Sequence, residues 1–244
     1  MGHGHDVRRG ASRTGLHVDL TAIRMRDLTS QLAIHGLTIC GGFEPTSDDT
    51  LPAGANFLAL IGTDPAHFWP VFSASPEYTA RLDDPLDRWS KRVIDEIVLD
   101  SDRQGVTLTA YFPSDGPPWH PFTRWAEKGE AATRSRVAMQ ISTERGLWMA
   151  YRAAIALPFV PDGWPRITAP SPCITCAAPC TNACPVDAFR GDTYDVDACR
   201  SHLRQTPDAE CHNGCRARLI CPVGTPPVLA QRQFHMKAFV SSRS

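Results

Sequence analysis

The sequence predicts an α+β protein in two parts, an α/β layered domain followed by a small domain built around cysteine. Three observations lead to it. Apolar runs of strand length alternate with amphipathic helical periods over roughly the first two thirds of the chain, and a proline-rich stretch follows them. Eight of the nine cysteines then fall between residues 173 and 221, whereas all six tryptophans lie before 173, so the two parts are built from different materials. The expected boundaries are a flexible arm over 1–18, the α/β domain over 19–165, and the cysteine domain with a C-terminal extension over 166–244.

Each element has its own reason. The arm carries His3, His5, Arg8 and Arg9 but no apolar stretch of signal-peptide length, so it reads as solvated chain and not as an export signal. RMRDLTSQLAIHG has apolar positions at helical spacing and ends at Gly36; LTICGG then reads as a short strand. FLALIG, residues 57–62, is a compact apolar run suited to a buried strand. DDPLDRWSKRVIDEIVLD is the clearest helix, with Asp84 placed to cap it, Pro85 at the first helical position, and Leu86, Trp89, Val93 and Ile97 along one stripe. GVTLTAYF (105–112) reads as a strand, SDGPPWHPF as a loop holding Trp119 and His120, and RAAIALPFV as the last strand. Prolines at 158, 161, 165, 170 and 172 make the connector extended.

At 244 residues the chain buries a proper core without needing disulfides, and a formal net charge of -1 gives no field to attract nucleic acid or an anionic membrane. No apolar run reaches the roughly 20 residues of a membrane span. Nine cysteines is an odd number and no secretion signal appears, so the expected setting is the reducing cytoplasm.

The chemistry concentrates in CITCAAPCTNACP. Cys173, Cys176, Cys180 and Cys184 follow C-x2-C-x3-C-x3-C-P, and Cys199, Cys211, Cys215 and Cys221 form a second set again closed by a proline, Pro222. Two four-cysteine sets that each end in Cys-Pro point to two [4Fe-4S] clusters on a ferredoxin-type scaffold, in which the cysteine before proline reaches across to the other cluster. By that crossing, one cluster takes Cys173, Cys176, Cys180 and Cys221, and the other takes Cys184, Cys199, Cys211 and Cys215. Structural zinc is the rival reading, but zinc modules show two knuckles parted by a spacer, and this chain has a continuous run. Cys40 is left over and reads as a small hydrophobe. His202, His212 and His235 lie within or beside the cysteine domain; eight thiolates already fill eight positions, so the histidines are expected outside the ligand set. QRQFHMKAF, with Phe234, Met236 and Phe239, is expected to cover the clusters.

The segments CPVDAF, CRSHL and CRARLICPVG resemble the double-cluster [4Fe-4S] ferredoxin domain of epoxyqueuosine reductases and reductive dehalogenases. GLWMAYRAAIALP looks like the loop and strand that lead up to the clusters in those families. The resemblance implies a nitroreductase-like α/β domain followed by a ferredoxin-like 2[4Fe-4S] domain, with cobalamin or flavin as a further cofactor. The spacing departs from the family motif at Ala177, Ala178 and Pro179, three residues where two are usual.

Trp148, Tyr151 and Arg152 are the best cofactor-binding candidates, the arginine for an anionic group and the aromatics for packing on a ring; packing between the domains is the competing account. The expected function is an iron-sulfur redox protein passing single electrons through two clusters to or from a site associated with the α/β domain, as a reductase. The alternative is an electron carrier or docking module for a partner oxidoreductase. The expected partner is a redox protein or a small-molecule electron acceptor, with no nucleic acid and no membrane.

Overall fold

The computed structural model describes residues 20–51, 53–165 and 167–241, the side chains of 20–23 excepted. The N-terminal arm with His3 and His5 lies outside the described residues.

Helix α1 (Leu20–Ile34) precedes strand β1 (Leu37–Phe43), and β2 (Phe57–Thr63) returns beside it. Three helices follow: α2 (Phe68–Ser73), α3 (Pro76–Thr79) and α4 (Pro85–Arg103). Then come the short β3 (Thr109–Tyr111), α5 (Phe122–Glu130), the small hairpin β4 (Thr133–Arg134) and β5 (Gln140–Ile141), and β6 (Tyr151–Leu157). Strands β1, β2, β6 and β3 make one sheet in the order β1-β2-β6-β3, with every neighbouring pair antiparallel. The alternation of strand and helix thus builds a mixed layer fold without parallel crossovers.

Strand alternation sorts the core onto the two faces of this sheet. Phe57, Ala59 and Ile61 of β2 and Ala153, Ile155 and Leu157 of β6 point to one side, where Leu28 and Leu32 of α1 and Trp89, Val93, Ile94 and Ile97 of α4 cover them. Leu58, Leu60, Ala154 and Ala156 point to the other, against Trp125 of α5. The interior is therefore sandwiched between helices on both sides, and β2 is buried almost throughout.

Two local expectations change. Pro85 does open α4, but Asp84 sits in a left-handed conformation (φ 49°) and its side chain makes no capping bond, so the Pro85 ring and not the cap fixes the start. The strand expected over 105–112 narrows to Thr109–Tyr111, because as an edge strand it finds ladder partners only at Ala154, Ile155 and Ala156. Val106, Leu108 and Phe112 keep their apolar role by packing into the core beside it.

Between Leu157 and Pro179 no helix or strand forms among the described residues, and Trp164 ties this connector to the sheet by an edge contact with Phe57, ring centroids 5.3 Å apart. The cysteine part holds a 3-10 turn at Pro179–Asn182, the pair β7 (Phe189–Arg190) and β8 (Thr193–Tyr194), α6 (Val196–Gln205), a second 3-10 turn at Glu210–Asn213, α7 (Arg216–Leu219) and α8 (Leu229–Ser241). No helix among the described residues is long and apolar enough to cross a membrane.

Candidate functional site

The eight clustered cysteines gather in two groups. Cys173, Cys176, Cys180 and Cys221 line one small cavity, whose apolar wall includes Ile141 and Leu147. Burial pushes the Cys180 thiol up, and Cys221, Cys173 and Cys176 push it further. In the second group, burial raises Cys211, and Cys215, Cys184 and Cys199 add to it. Burial also raises Cys199; the Tyr194 hydroxyl bonds to it and pulls down, while Cys215 and Cys184 push up again. Cys221 therefore sits with the first three cysteines of the run, and Cys184 with the downstream three.

Both groups carry features that suit thiolates. The backbone N–H of Ala178 donates to Cys176 Sγ (3.4 Å), and that of Ala188 donates to Cys184 Sγ (3.3 Å). Burial raises Cys215, against the backbone N–H of Arg218, the Arg218 charge and the N–H of Ala217. The extra residue in the first spacing is absorbed at Ala178, which turns left-handed (φ 55°) and aims its N–H at the sulfur before the 3-10 turn begins. Crowded soft donors that repel one another when ionised, with backbone amides directed at sulfur, form a donor set that fits iron-sulfur ligation. Among the described residues no three His, Cys, Asp or Glu side chains converge on a single metal ion. A cubane makes a different demand, since its four thiolates bind four separate iron corners.

The α/β part supplies one wall of the first cavity through the β4–β5 hairpin. Arg136 donates to the Cys173 carbonyl (3.2 Å), Thr133 donates to Ser171 Oγ (2.8 Å), and Arg134 reaches the Asp192 carbonyl. The expected division at 165 gave no sign of this wall.

One end of the sheet is irregular, and it faces the same region. The β1–β2 register shifts between Ile39 and Gly41, leaving Cys40 as the extra residue; the β2–β6 register shifts between Ile61 and Gly62, leaving Arg152 as the extra one. Neighbouring strand residues face opposite sides in any case, and the β2–β6 bulge exchanges the faces that Tyr151 and Arg152 take. Tyr151 turns toward α5, where its hydroxyl donates to Glu130 Oε2 (2.5 Å). Arg152 turns toward α4 and pairs with Asp87 (3.3 Å). Trp148 lies in the loop before β6, its ring under the Arg218 guanidinium, whose carbon is 4.1 Å from the ring centroid. The three candidates therefore do not converge on one point.

What does converge is a buried network that sequence reading missed. Glu130, 5% exposed, takes both Arg145 Nε (2.8 Å) and Arg145 Nη2 in a forked pair as well as the Tyr151 hydroxyl. Burial opposes the Arg145 charge, and Glu130 more than restores it; burial and Glu130 together hold the Tyr151 phenol protonated. Cys40 joins as a half-buried residue whose enclosed thiol is pushed up to about 12 by burial, which fits an inert small side chain. Gly62 makes room, since a Cβ there would strike Cys40 Sγ and Arg145 Nη1. Glu130 and its partners lie 15 and 21 residues apart on different elements, so no local spacing announces them.

Of the remaining candidates, His212 and His120 have structural partners. His212 Nε2 lies 3.1 Å from the carbonyls of Leu203 and Thr206, tying two turns together. His120 stacks on Trp125, and Trp119 is exposed. Helix α8 spans the two parts: Phe234 enters the aromatic group of Trp69, Phe72 and Tyr78, while Phe239 stacks on Tyr194 beside the second cysteine group. His235, between them, is held down to about 4 by burial and by the charges of Arg152 and Arg218.

No family model matches this chain, and no curated protein matches it. Solved structures do resemble it at low identity. Selenomethionine-labeled epoxyqueuosine reductase aligns over 86% of this chain and 68% of its own length, with 16% identity and a TM-score of 0.47. Epoxyqueuosine reductase from Bacillus subtilis aligns over 83% and 65%, with 17% identity and a TM-score of 0.44, so this chain spans just under two thirds of that one. The B12-trafficking protein CblC of C. elegans aligns over 89% and 95%, with 13% identity and a TM-score of 0.48.

Proposed function

We propose that this chain is an iron-sulfur redox protein with two [4Fe-4S] clusters, one held by Cys173, Cys176, Cys180 and Cys221 and the other by Cys184, Cys199, Cys211 and Cys215. A nitroreductase-like α/β domain is joined in this reading to a ferredoxin-like 2[4Fe-4S] domain. The observation that carries it is the crossed grouping, in which Cys221 reaches back to the first three cysteines while Cys184 leaves its neighbours for the downstream set. A simple sequential pair of zinc sites has no need of that exchange. Bound there, the clusters supply one-electron transfer.

The chain's own residues then have definite tasks. Eight thiolates hold iron, and the N–H groups of Ala178 and Ala188 direct partial positive charge at sulfur. The β4–β5 hairpin and Leu147 keep water from the first group, and α8 flanks the second. The bulged end of the sheet, with Glu130, Arg145 and Tyr151, is the proposed place where an organic cofactor or substrate meets the electron path. Cobalamin or flavin is the cofactor class, and a redox protein or a small-molecule acceptor is the partner.

A second reading is favoured by a specific observation. Tyr151 and Arg152 already have their partners in Glu130 and Asp87, and Trp148 is covered by Arg218. Groups so engaged suit domain packing, and the protein is then an electron carrier that docks on an oxidoreductase.

Anaerobic reconstitution of the full chain with ferrous salt and sulfide tests the redox reading. The expected product is brown and holds about eight irons and eight sulfides. Zinc without sulfide would end this account. Spectral titration with cobalamin and with flavin separates the two readings: a shift supports the reductase, and silence from both supports the carrier.

A further inference from the structure

Two enclosed arginines of the α/β part are paired with carboxylates, Arg145 with Glu130 and Arg152 with Asp87. Among the described residues, no carboxylate pairs with Arg218. Its Nε donates to the Leu147 carbonyl (3.0 Å), and its guanidinium lies over Trp148 at 4.1 Å. Its burial is deep enough to work against its own charge, and the opposing groups are Cys215 and Tyr194. A buried cation without a counter-ion is expensive, and the side chain remains protonated in any protein environment. The Arg218 backbone N–H donates to the Cys215 carbonyl (3.0 Å), so Arg218 follows that thiol by one turn.

We infer that Arg218 is the built-in counter-cation of the second cluster and raises its reduction potential; this rests on the reading of Cys184, Cys199, Cys211 and Cys215 as that cluster's ligands. A cubane in four thiolates is a net anion, and reduction adds one electron from an external donor with no proton taken up at Arg218. The guanidinium therefore favours the reduced form over the oxidised one. Trp148 strengthens the effect by covering one face of the charge and keeping water from screening it. Leu147 and Trp148 come from the α/β part, so docking of the two parts fixes where the positive charge stands. Cys215 and Arg218 are one helical turn apart, whereas Arg136, which lines the first cavity, is exposed and spends its contact on the Cys173 carbonyl.

The test is a potentiometric titration of the reconstituted full chain with dithionite, followed by electron paramagnetic resonance, in wild type, Arg218→Gln and Arg218→Lys. In Arg218→Gln, iron and sulfide stay at wild-type content and one couple moves to lower potential while the other stays. At the wild-type midpoint the reduced-to-oxidised ratio of that couple falls about tenfold, which is about 59 mV for one electron. Arg218→Lys, which keeps the charge without the planar stacking, recovers part of the shift. If Arg218→Gln fails to hold iron, Trp148→Leu carries the test, because it leaves the arginine and admits water; the same couple then moves down by less. Unmoved couples, or both moving equally, would overturn the role of Arg218 while leaving the clusters in place. A wild-type protein that binds no iron would remove both this role and the redox reading.

Discussion

Gly146 lies against Val223 with no room for a side chain between them: a Cβ at 146 would land on the Val223 carbonyl oxygen. Gly224 meets Arg145 in the same way from the other side, and both glycines have positive φ, 56° and 79°. This backbone clasp presses the loop that carries Arg145 and Trp148 onto the chain just after Cys221 and Pro222.

Gly146→Ala and Gly224→Ala are each expected to cost more than about 2 kcal/mol, combining left-handed strain with a contact that only backbone movement relieves. Denaturant midpoints of the full chain check it. Gly163→Ala is the control: its φ is also positive, at 66°, but no neighbouring atom lies within 4 Å, so its cost stays near the strain alone.

The Glu130 network makes a second prediction. Glu130→Gln leaves the Arg145 charge buried and uncompensated, which costs about 3–5 kcal/mol. Tyr151→Phe removes one hydrogen bond to a charged acceptor and costs about 1.5–3 kcal/mol. Urea unfolding at neutral pH should rank the two in that order, with the double variant less than additive because the groups share one carboxylate.

Acid should weaken the protein through His235. Its folded pKa is held near 4, well under the ordinary 6.5, so between those values the unfolded chain binds a proton that the folded chain refuses. Stability contributed by the neutral ring is full above 6.5 and falls as pH drops through that window, by an amount on the order of 3 kcal/mol. His235→Gln should flatten the slope of unfolding free energy between pH 6.5 and 5, where few carboxylates titrate. The groups that face the ring are Arg152 from β6 and Arg218 from α7, and neither loses its charge in this range.

Much of this architecture was legible because its causes are local. Pro85 and the stripe of Trp89, Val93 and Ile97 define α4, and the apolar run of β2 reports burial on both faces. The cysteine spacing with its two Cys-Pro endings is likewise local, and Cys221 does come to line one cavity with Cys173, Cys176 and Cys180. The illegible parts depend on register and on distant partners. Cys40 and Arg152 became the extra residues of two bulges only through pairing with β2, and that pairing decided which face of the sheet each of Tyr151 and Arg152 takes. Asp84 looked like a cap, yet capping needs an extended backbone and this aspartate is left-handed. The hairpin at 133–141 gave no strong strand signal, since two-residue strands have no period to read.

The crossed assignment is tested most directly by four single substitutions, Cys173→Ser, Cys221→Ser, Cys184→Ser and Cys215→Ser, each reconstituted anaerobically, assayed for iron and sulfide, and compared by electron paramagnetic resonance after reduction. The account predicts that Cys221→Ser loses the same signal as Cys173→Ser, and Cys184→Ser the same signal as Cys215→Ser, with about half the iron kept in each. Loss by Cys184→Ser of the signal that Cys173→Ser loses, or a wild-type protein that takes up no iron and sulfide at all, would contradict it.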